Sequence, residues 1–240
     1  MEINDAVVLV TGANRGIGRA MVERFVANGA RRVYAAARNA AAISARANVT
    51  PIELDITSPD DVRRAAKACS DVTILVNNAG VFFGRPLIGS ETEEFAETEM
   101  NVNYFGALRM CRAFAPILAQ NGGGAIVNVL SILARVNMPR VGSYSASKAA
   151  ALSLTQGVRA ELAKQGTFVT AILPAFVDTD MAAHVNAPKL APEQVADATI
   201  QALHERAEEV YPGQASEIAA AIDRNAKAVE HQFAAMFPAG

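Results

Sequence analysis

Tyr144 and Lys148 stand four residues apart in Tyr144-Ser145-Ala146-Ser147-Lys148. Helical spacing puts such a pair on one face, so a phenol and an ammonium can share one site. A free phenol, with a pKa of about 10, is a poor proton donor or acceptor near neutrality. A neighbouring cation favours the phenolate and lowers that value, as general acid–base catalysis requires. A hydroxyl able to hold a substrate carbonyl is offered by Ser131, thirteen residues before the phenol, and also by Ser143 and Ser145 beside it. Taken alone, Tyr-x-x-x-Lys is an ordinary pair of solvated or packed helix positions, and a serine at a strand end is an ordinary turn former.

A second chemistry-bearing stretch is Thr11-Gly12-Ala13-Asn14-Arg15-Gly16-Ile17-Gly18. It follows an apolar run, Ala6–Val10, and opens a helical pattern, Ile17–Ala27, with Ile17, Met21, Val22 and Phe25 on one side. Glycines let a backbone approach a pyrophosphate, and the first turn of a helix offers unpaired N–H groups to an anion. The spacing is Gly-x-x-x-Gly-x-Gly rather than Gly-x-Gly-x-x-Gly. The same glycines would also suit a tight turn that needs positive φ.

The elements that must position these residues alternate along the chain. Apolar runs at 32–37, 49–54, 72–76, 125–130 and 168–173 read as further strands, with a short seventh at 209–211. Between them lie helical stretches. One runs from Ser58-Pro59, a cap followed by proline at the first helical position, to about Cys69. Others cover 91–120 with Pro116 kinking it or near its end, 143–164, 191–206 entered through Pro192, and 216–236. Strands buried on both faces and alternating with helices predict an α/β fold, a Rossmann-like doubly wound parallel sheet of about seven strands. Ligands of such a sheet sit at the carboxyl ends of its strands. The expectation is a single domain over 1–240.

Composition excludes several classes. Lys plus Arg is 22 against 24 Asp plus Glu, a net charge of −2, which disfavours a nucleic-acid binder driven by charge. With 51% hydrophobic and 19% charged residues, disorder is not expected. Cys69 and Cys111 cannot form a disulfide framework or a four-cysteine metal site, and read as core side chains. His184, His204 and His231 lack metal-ligand spacing, so no metal is expected. No apolar run approaches a membrane span, and the N-terminus lacks a signal-peptide pattern. The expectation is a soluble cytoplasmic protein with no nucleic-acid or membrane partner.

Together, the glycine octet, Asn77-Asn78-Ala79-Gly80 after the fourth strand, Asn128-Val129-Leu130-Ser131 and Tyr144-x-x-x-Lys148 resemble the short-chain dehydrogenase/reductase family, in the family's order. The resemblance covers Val7 to about Pro212. Val102-Asn103-Tyr104-Phe105-Gly106 is similar to the family's Val-Asn-x-x-Gly, which selects Asn103 over its neighbour Asn101. The resemblance implies four catalytic residues. Tyr144 would be the proton donor, Ser131 would hold the carbonyl oxygen, Lys148 would lower the phenol pKa and hold the ribose, and Asn103 would interrupt its long helix and support a relay water.

The resemblance also implies a nicotinamide dinucleotide held by Gly12, Asn14, Arg15, Gly16, Ile17, Gly18, Asn78, Ala79, Gly80, Tyr144 and Lys148, with Asp55 and Ile56 at the adenine. Pro174-Ala175-Phe176-Val177-Asp178-Thr179 resembles the family's Pro-Gly-x-Val-x-Thr beside the nicotinamide, which adds Pro174, Val177 and Thr179. Ala175 departs from the usual glycine. Where NAD-preferring relatives carry an acid after the second strand, this chain has Ala37 and then Arg38. A guanidinium suits a 2′-phosphate, so the cofactor expected is NADP(H), with Arg15 as a second cation.

The implied activity is NADPH-dependent reduction of a ketone or other carbonyl to a secondary alcohol. Phe82, Phe83, Leu133, Val136, Met138, Phe176, Met181, Val185 and Leu190 would give the substrate an apolar wall, suited to an apolar or aromatic ketone. A 3-oxoacyl thioester reductase and a catalytically silent NADP(H)-binding sensor are the alternatives. Against the first stands Tyr211-Pro212-Gly213 followed by a further helix, where a glycine-rich ending is frequent. A sugar-nucleotide epimerase would need a longer C-terminal substrate domain. The helices at 91–120 and 143–164 form the self-association surface in relatives, so a homodimer or homotetramer is expected.

Overall fold

The strands β1 (Val7–Thr11), β2 (Arg32–Ala37), β3 (Val49–Glu53), β4 (Ile74–Asn77), β5 (Ala125–Val129), β6 (Phe168–Ile172) and β7 (Glu209–Val210) form one parallel sheet, ordered β3-β2-β1-β4-β5-β6-β7. This computed structural model describes residues 1–183 and 185–238; His184, one of the chain's three histidines, lies outside them, as do the final two residues. β1 lies between β2 and β4, with Val8 aligned to both Val33 and Ile74. The chain winds one way from β1 and the other way from β4, so a crevice opens at their carboxyl ends. That is where the glycine octet and Asn77–Gly80 lie.

Helices cover both faces: α1 (Gly16–Ala27), α2 (Pro59–Ala68), α3 (Glu94–Met100), α4 (Ala107–Gln120), α5 (Gly142–Leu162), α6 (Pro192–Glu205) and α7 (Ala215–Met236). The two-residue alternation of β1 divides the core. Val8 and Val10 belong with Met21, Phe25, Val195 and Leu203 beneath α1 and α6, while Val7 and Leu9 belong with Val62, Met110, Phe114 and Val158 beneath α2, α4 and α5. Because both faces are covered, β1 is buried along its whole length and apolar from Val7 to Val10 rather than alternating. Pro51 falls in β3, at the edge of the sheet, where a missing N–H costs no ladder bond. Ser58 caps α2 by accepting from the Asp61 N–H at 3.2 Å. Cys69 and Cys111 are buried in the core, and burial pushes both thiols up to about 12.

Two helices differ from the sequence expectation. The stretch expected as one helix over 91–120 begins at Glu94, and around Asn103, where the resemblance implies an interruption, it takes a π-helical turn, Asn101–Gly106. Pro116 lies near the end of α4, where few hydrogen bonds remain to be lost. The wider turn lets Gly106 pass close to α2's approach: a Cβ there would lie 2.5 Å from Ile56 Cδ1. The last helix is two segments hinged at Asn225, whose backbone is extended (φ −160°, ψ 88°) and whose Oδ1 accepts from the Ala228 N–H at 3.1 Å. Asparagine restarts the helix there as a cap.

Candidate active site

Gly12 (φ +65°) and Gly16 (φ +51°) occupy left-handed backbone that glycine adopts without strain. Gly18 serves close approach instead: a Cβ there would lie 2.1 Å from the Gly12 carbonyl oxygen and 2.6 Å from Asn78 Nδ2. Asn78 Nδ2 donates to the Thr11 carbonyl at 2.9 Å and the Gly12 carbonyl at 3.2 Å. Thr11 Oγ1 accepts from the N–H groups of Asn78 and Ala79 at 2.9 and 3.0 Å. The two glycine-bearing motifs are therefore stitched into one turn. α1 starts at Gly16 with no side-chain cap, which leaves its first N–H groups for an anion.

A cleft of about 550 Å³ runs over this turn. Gly12, Asn14, Arg15, Gly16, Ile17, Gly18, Arg38, Asp55, Ile56, Asn78, Ala79, Gly80, Tyr144, Lys148 and Thr179 all line it. The cradle at Gly18 and the open end of α1 fit a dinucleotide pyrophosphate. Ala37, Arg38 and Asn39 line the end beyond β2, with no carboxylate among them. Arg15 pairs with Asp180 at 2.8 Å, both side chains exposed. Asp55 also braces its own turn, where its Oδ1 accepts from the Thr57 N–H at 2.8 Å and the Thr57 hydroxyl at 2.7 Å.

Pro174 and Val177 are not on the cleft wall. The Pro174 carbonyl accepts from the Ile132 N–H at 2.9 Å, and Val177 is buried in the core beneath α1 and α6. Sequence reasoning missed Thr11, Leu54, Val102, Val129 and Leu130 as lining residues. Only their positions at strand ends or next to motif residues could have marked them.

Tyr144 and Lys148 project from one face of α5 and are 8% and 5% exposed. Lys148 Nζ lies 5.6 Å from the Tyr144 ring centroid and donates to the Val129 carbonyl at 3.1 Å. The Ser131 side chain is placed to interact with the phenol and favours its ionised form. Ser131 Oγ also accepts from the Leu133 N–H at 3.2 Å. The other two serines are committed elsewhere: Ser143 donates to the Arg85 carbonyl at 3.4 Å, and Ser145 to the Val141 carbonyl at 3.2 Å. Asn103, inside the π turn, accepts from the Val81 N–H at 2.9 Å and donates to the Val81 carbonyl at 3.0 Å and to Ser147 Oγ at 2.9 Å. Gly80 keeps this corner open: a Cβ there would lie 3.1 Å from Asn103 Oδ1 and 3.6 Å from Lys148 Nζ.

The electrostatics correct one expectation. Burial raises the Tyr144 phenol above its usual value, and the charge of Glu99 raises it further, against the lowering by Ser131. Burial also brings the Lys148 ammonium down to about 8. The low-dielectric corner penalises both charged forms, and burial, the largest influence on the phenol, sets the direction of its shift.

The Tyr144 ring packs among apolar side chains. The ring belongs to a cluster with Phe82, Leu133, Val136, Met138 and Phe176, together with Ala219, Ile222, Val229 and Phe233 of α7. Phe82 meets the Tyr144 ring edge-on, with centroids 5.1 Å apart. Leu190 does not join this wall; it packs on the core under α1 and α6, where its carbonyl accepts from the Asp178 N–H at 2.8 Å. Phe83 turns to Phe95, 5.2 Å away, and Met181 is exposed on the cleft. No helix of the described residues is long and apolar enough to cross a membrane.

Comparison with known proteins places this arrangement. The family model described as short chain dehydrogenase matches residues 6–190. A crystal structure of a short chain dehydrogenase from Burkholderia cenocepacia in complex with NADP is 46% identical, covers 97% of this chain and 99% of its own, and superposes with a TM-score of 0.94. A short chain dehydrogenase/reductase from Burkholderia phymatum in complex with NAD is 27% identical, with 97% and 96% covered and a TM-score of 0.86. A probable galactose dehydrogenase from Rhizobium meliloti is 36% identical over 191 residues, 75% of this chain and 74% of its own length.

Proposed function

The chain belongs to the short-chain dehydrogenase family, and from that premise we propose that it is an NADP(H)-dependent oxidoreductase reducing an apolar or aromatic ketone to a secondary alcohol. The observation that carries this reading is the placement of Tyr144 and Lys148 together at the head of a dinucleotide-sized cleft, with apolar side chains packed around the Tyr144 ring. A nicotinamide bound in the cleft would supply the hydride. The Ser131 hydroxyl hydrogen-bonds the carbonyl oxygen, and the Tyr144 hydroxyl hands that oxygen its proton. Lys148 stabilises the phenolate left behind, and Asn103 holds the corner in which this occurs. A neutral, proton-bearing phenol suits the reducing direction.

Arg38, with no acid beside it, supports NADPH over NADH; the relative sharing 46% of its residues is the one bound to NADP. A sugar substrate is disfavoured because its hydroxyls would meet Phe82, Leu133, Val136, Met138 and Phe176, which offer no side-chain partner. The exposed faces of α4 and α5, with Tyr104, Leu108 and Leu154 along one groove, suit self-association in a dimer or tetramer.

The test is NADPH consumption with aryl ketones, a 3-oxoacyl thioester and a ketohexose. Aryl ketones should turn over. Tyr144→Phe should lower turnover at least about a thousandfold while NADPH affinity stays within about threefold. Full activity of that variant overturns the assignment, and NADPH binding without turnover of any compound favours a sensor.

A further inference from the structure

Glu99 is fully buried, at 0% exposure, and is not one of the four catalytic residues Asn103, Ser131, Tyr144 and Lys148. Its Oε1 accepts from the Phe83 N–H at 2.8 Å, and its Oε2 is buried with no partner. A dry, half-satisfied carboxyl is costly, and its cost points to what it does for its neighbours.

Phe95, Glu99 and Asn103 recur every four residues on one helical face, and each grips the segment after β4. Phe95 meets the Phe83 ring and carries the Arg85 guanidinium 4.9 Å above its own ring. Glu99 holds the Phe83 N–H. Asn103 holds both backbone groups of Val81. Between the last two grips lies Phe82, whose ring stands edge-on to Tyr144.

We propose that Glu99 is a positioning residue for the catalytic phenol: with Asn103 it clamps Val81–Phe83 so that Phe82 is set against the Tyr144 ring, and its carboxylate lies within electrostatic reach of the phenol. This rests on Tyr144 being the acid–base group. Burial is the largest cause that raises the phenol, and the charge of Glu99 adds to it in favour of the protonated form that reduction needs. Among the described residues, the charged groups that act on the phenol or its ring are Glu99 from α3 and Lys148 from α5. Arg85 of the clamped segment is engaged on Phe95, and Arg135, after Ser131, is turned to Asp223 of α7 at 2.6 Å.

The experiment is an ultraviolet difference titration of tyrosinate on the full chain saturated with NADP⁺, in wild type, Glu99→Gln, Glu99→Leu and Tyr144→Phe. The Tyr144→Phe curve identifies the contribution of Tyr34, Tyr104 and Tyr211. Glutamine keeps the acceptor for Phe83 and removes the charge, so Tyr144 in Glu99→Gln should titrate at lower pH than in wild type. Amide exchange at Phe83 should stay within about threefold of wild type in Glu99→Gln. In Glu99→Leu it should speed up about tenfold or more, the equivalent of about 1.4 kcal/mol. Coincident tyrosinate curves for wild type and Glu99→Gln overturn the proposal, as does unchanged Phe83 exchange in Glu99→Leu. Turnover retained by Tyr144→Phe would overturn the role of Tyr144 instead, a result separate from either.

Discussion

Replacing Lys148 with methionine should make the protein more stable while removing its activity. The ammonium is 5% exposed and burial brings its pKa from 10.5 to about 8. The folded state therefore binds the proton more weakly than the unfolded chain, so the group opposes folding. The opposition is complete below about pH 8, shrinks as pH rises, and is gone above 10.5. The fall from 10.5 to about 8 corresponds to roughly 3 kcal/mol. Methionine fills similar volume without charge. It also forfeits the donor to the Val129 carbonyl, 3.1 Å away, at a cost of about 1 kcal/mol. The expected gain near pH 7 is about 2–3 kcal/mol, read as a higher urea midpoint at unchanged m-value. The gain should fade between pH 8 and 10.5, while ketone reduction drops by orders of magnitude. A variant less stable than wild type at pH 7, or a difference that does not change with pH, would refute the claim that this lysine is held at an electrostatic cost.

Three further outcomes are expected. Arg38→Asp should lower kcat/KM for NADPH at least about a hundredfold, about 2.7 kcal/mol, with much less effect on NADH; an unchanged preference would place recognition of the 2′-phosphate elsewhere. Gly18→Ala puts a methyl 2.1 Å from the Gly12 carbonyl oxygen, an overlap that no side-chain rotation relieves. It should raise the NADPH Kd about tenfold or more and lower Tm by several degrees, measured by fluorescence titration and calorimetry. Phe233→Ala, in the apolar cluster shared with Tyr144, should cost about 3 kcal/mol in urea unfolding and raise KM for an aryl ketone without raising that for NADPH.

The site was legible where chemistry depends on local spacing. Tyr144 and Lys148 share a face because a helix repeats every 3.6 residues, and Ser131 meets the phenol because it follows a strand whose end faces α5. Gly12 and Gly16 were legible because left-handed backbone is read from residue type. Asp55 was legible as a turn former as much as a ligand, and the structure gives it Thr57 as a local partner. Pro174 and Val177 match a motif in order, yet they stand behind the wall that Thr179 reaches.

Glu99 carried no signal in the sequence. An acid on a helix between Glu97 and Met100 reads as solvated, and only the packing of the Val81–Phe83 segment over it turns it into a buried clamp. A break at Asn103 was implied by the family resemblance, but its partners were not legible in the chain. Proline is the usual helix breaker, but here the break comes from Asn103 bonding Val81, twenty-two residues away, and from Ile56 pressing on Gly106. The bend of α7 at Asn225 likewise has a capping residue as its only local mark.

Alternation of buried strands with helices, the glycines of the first turn and the order of the motifs were determined by the chain itself, because periodicity, backbone freedom and helical spacing are properties of neighbours in sequence. The protonation bias of the site was decided by tertiary structure. Lys148 predicts an acidic phenol when only the pair is considered. The fold instead buries both groups and brings Glu99 near Tyr144, and solvation and long-range charge are set by which distant residues close over a site.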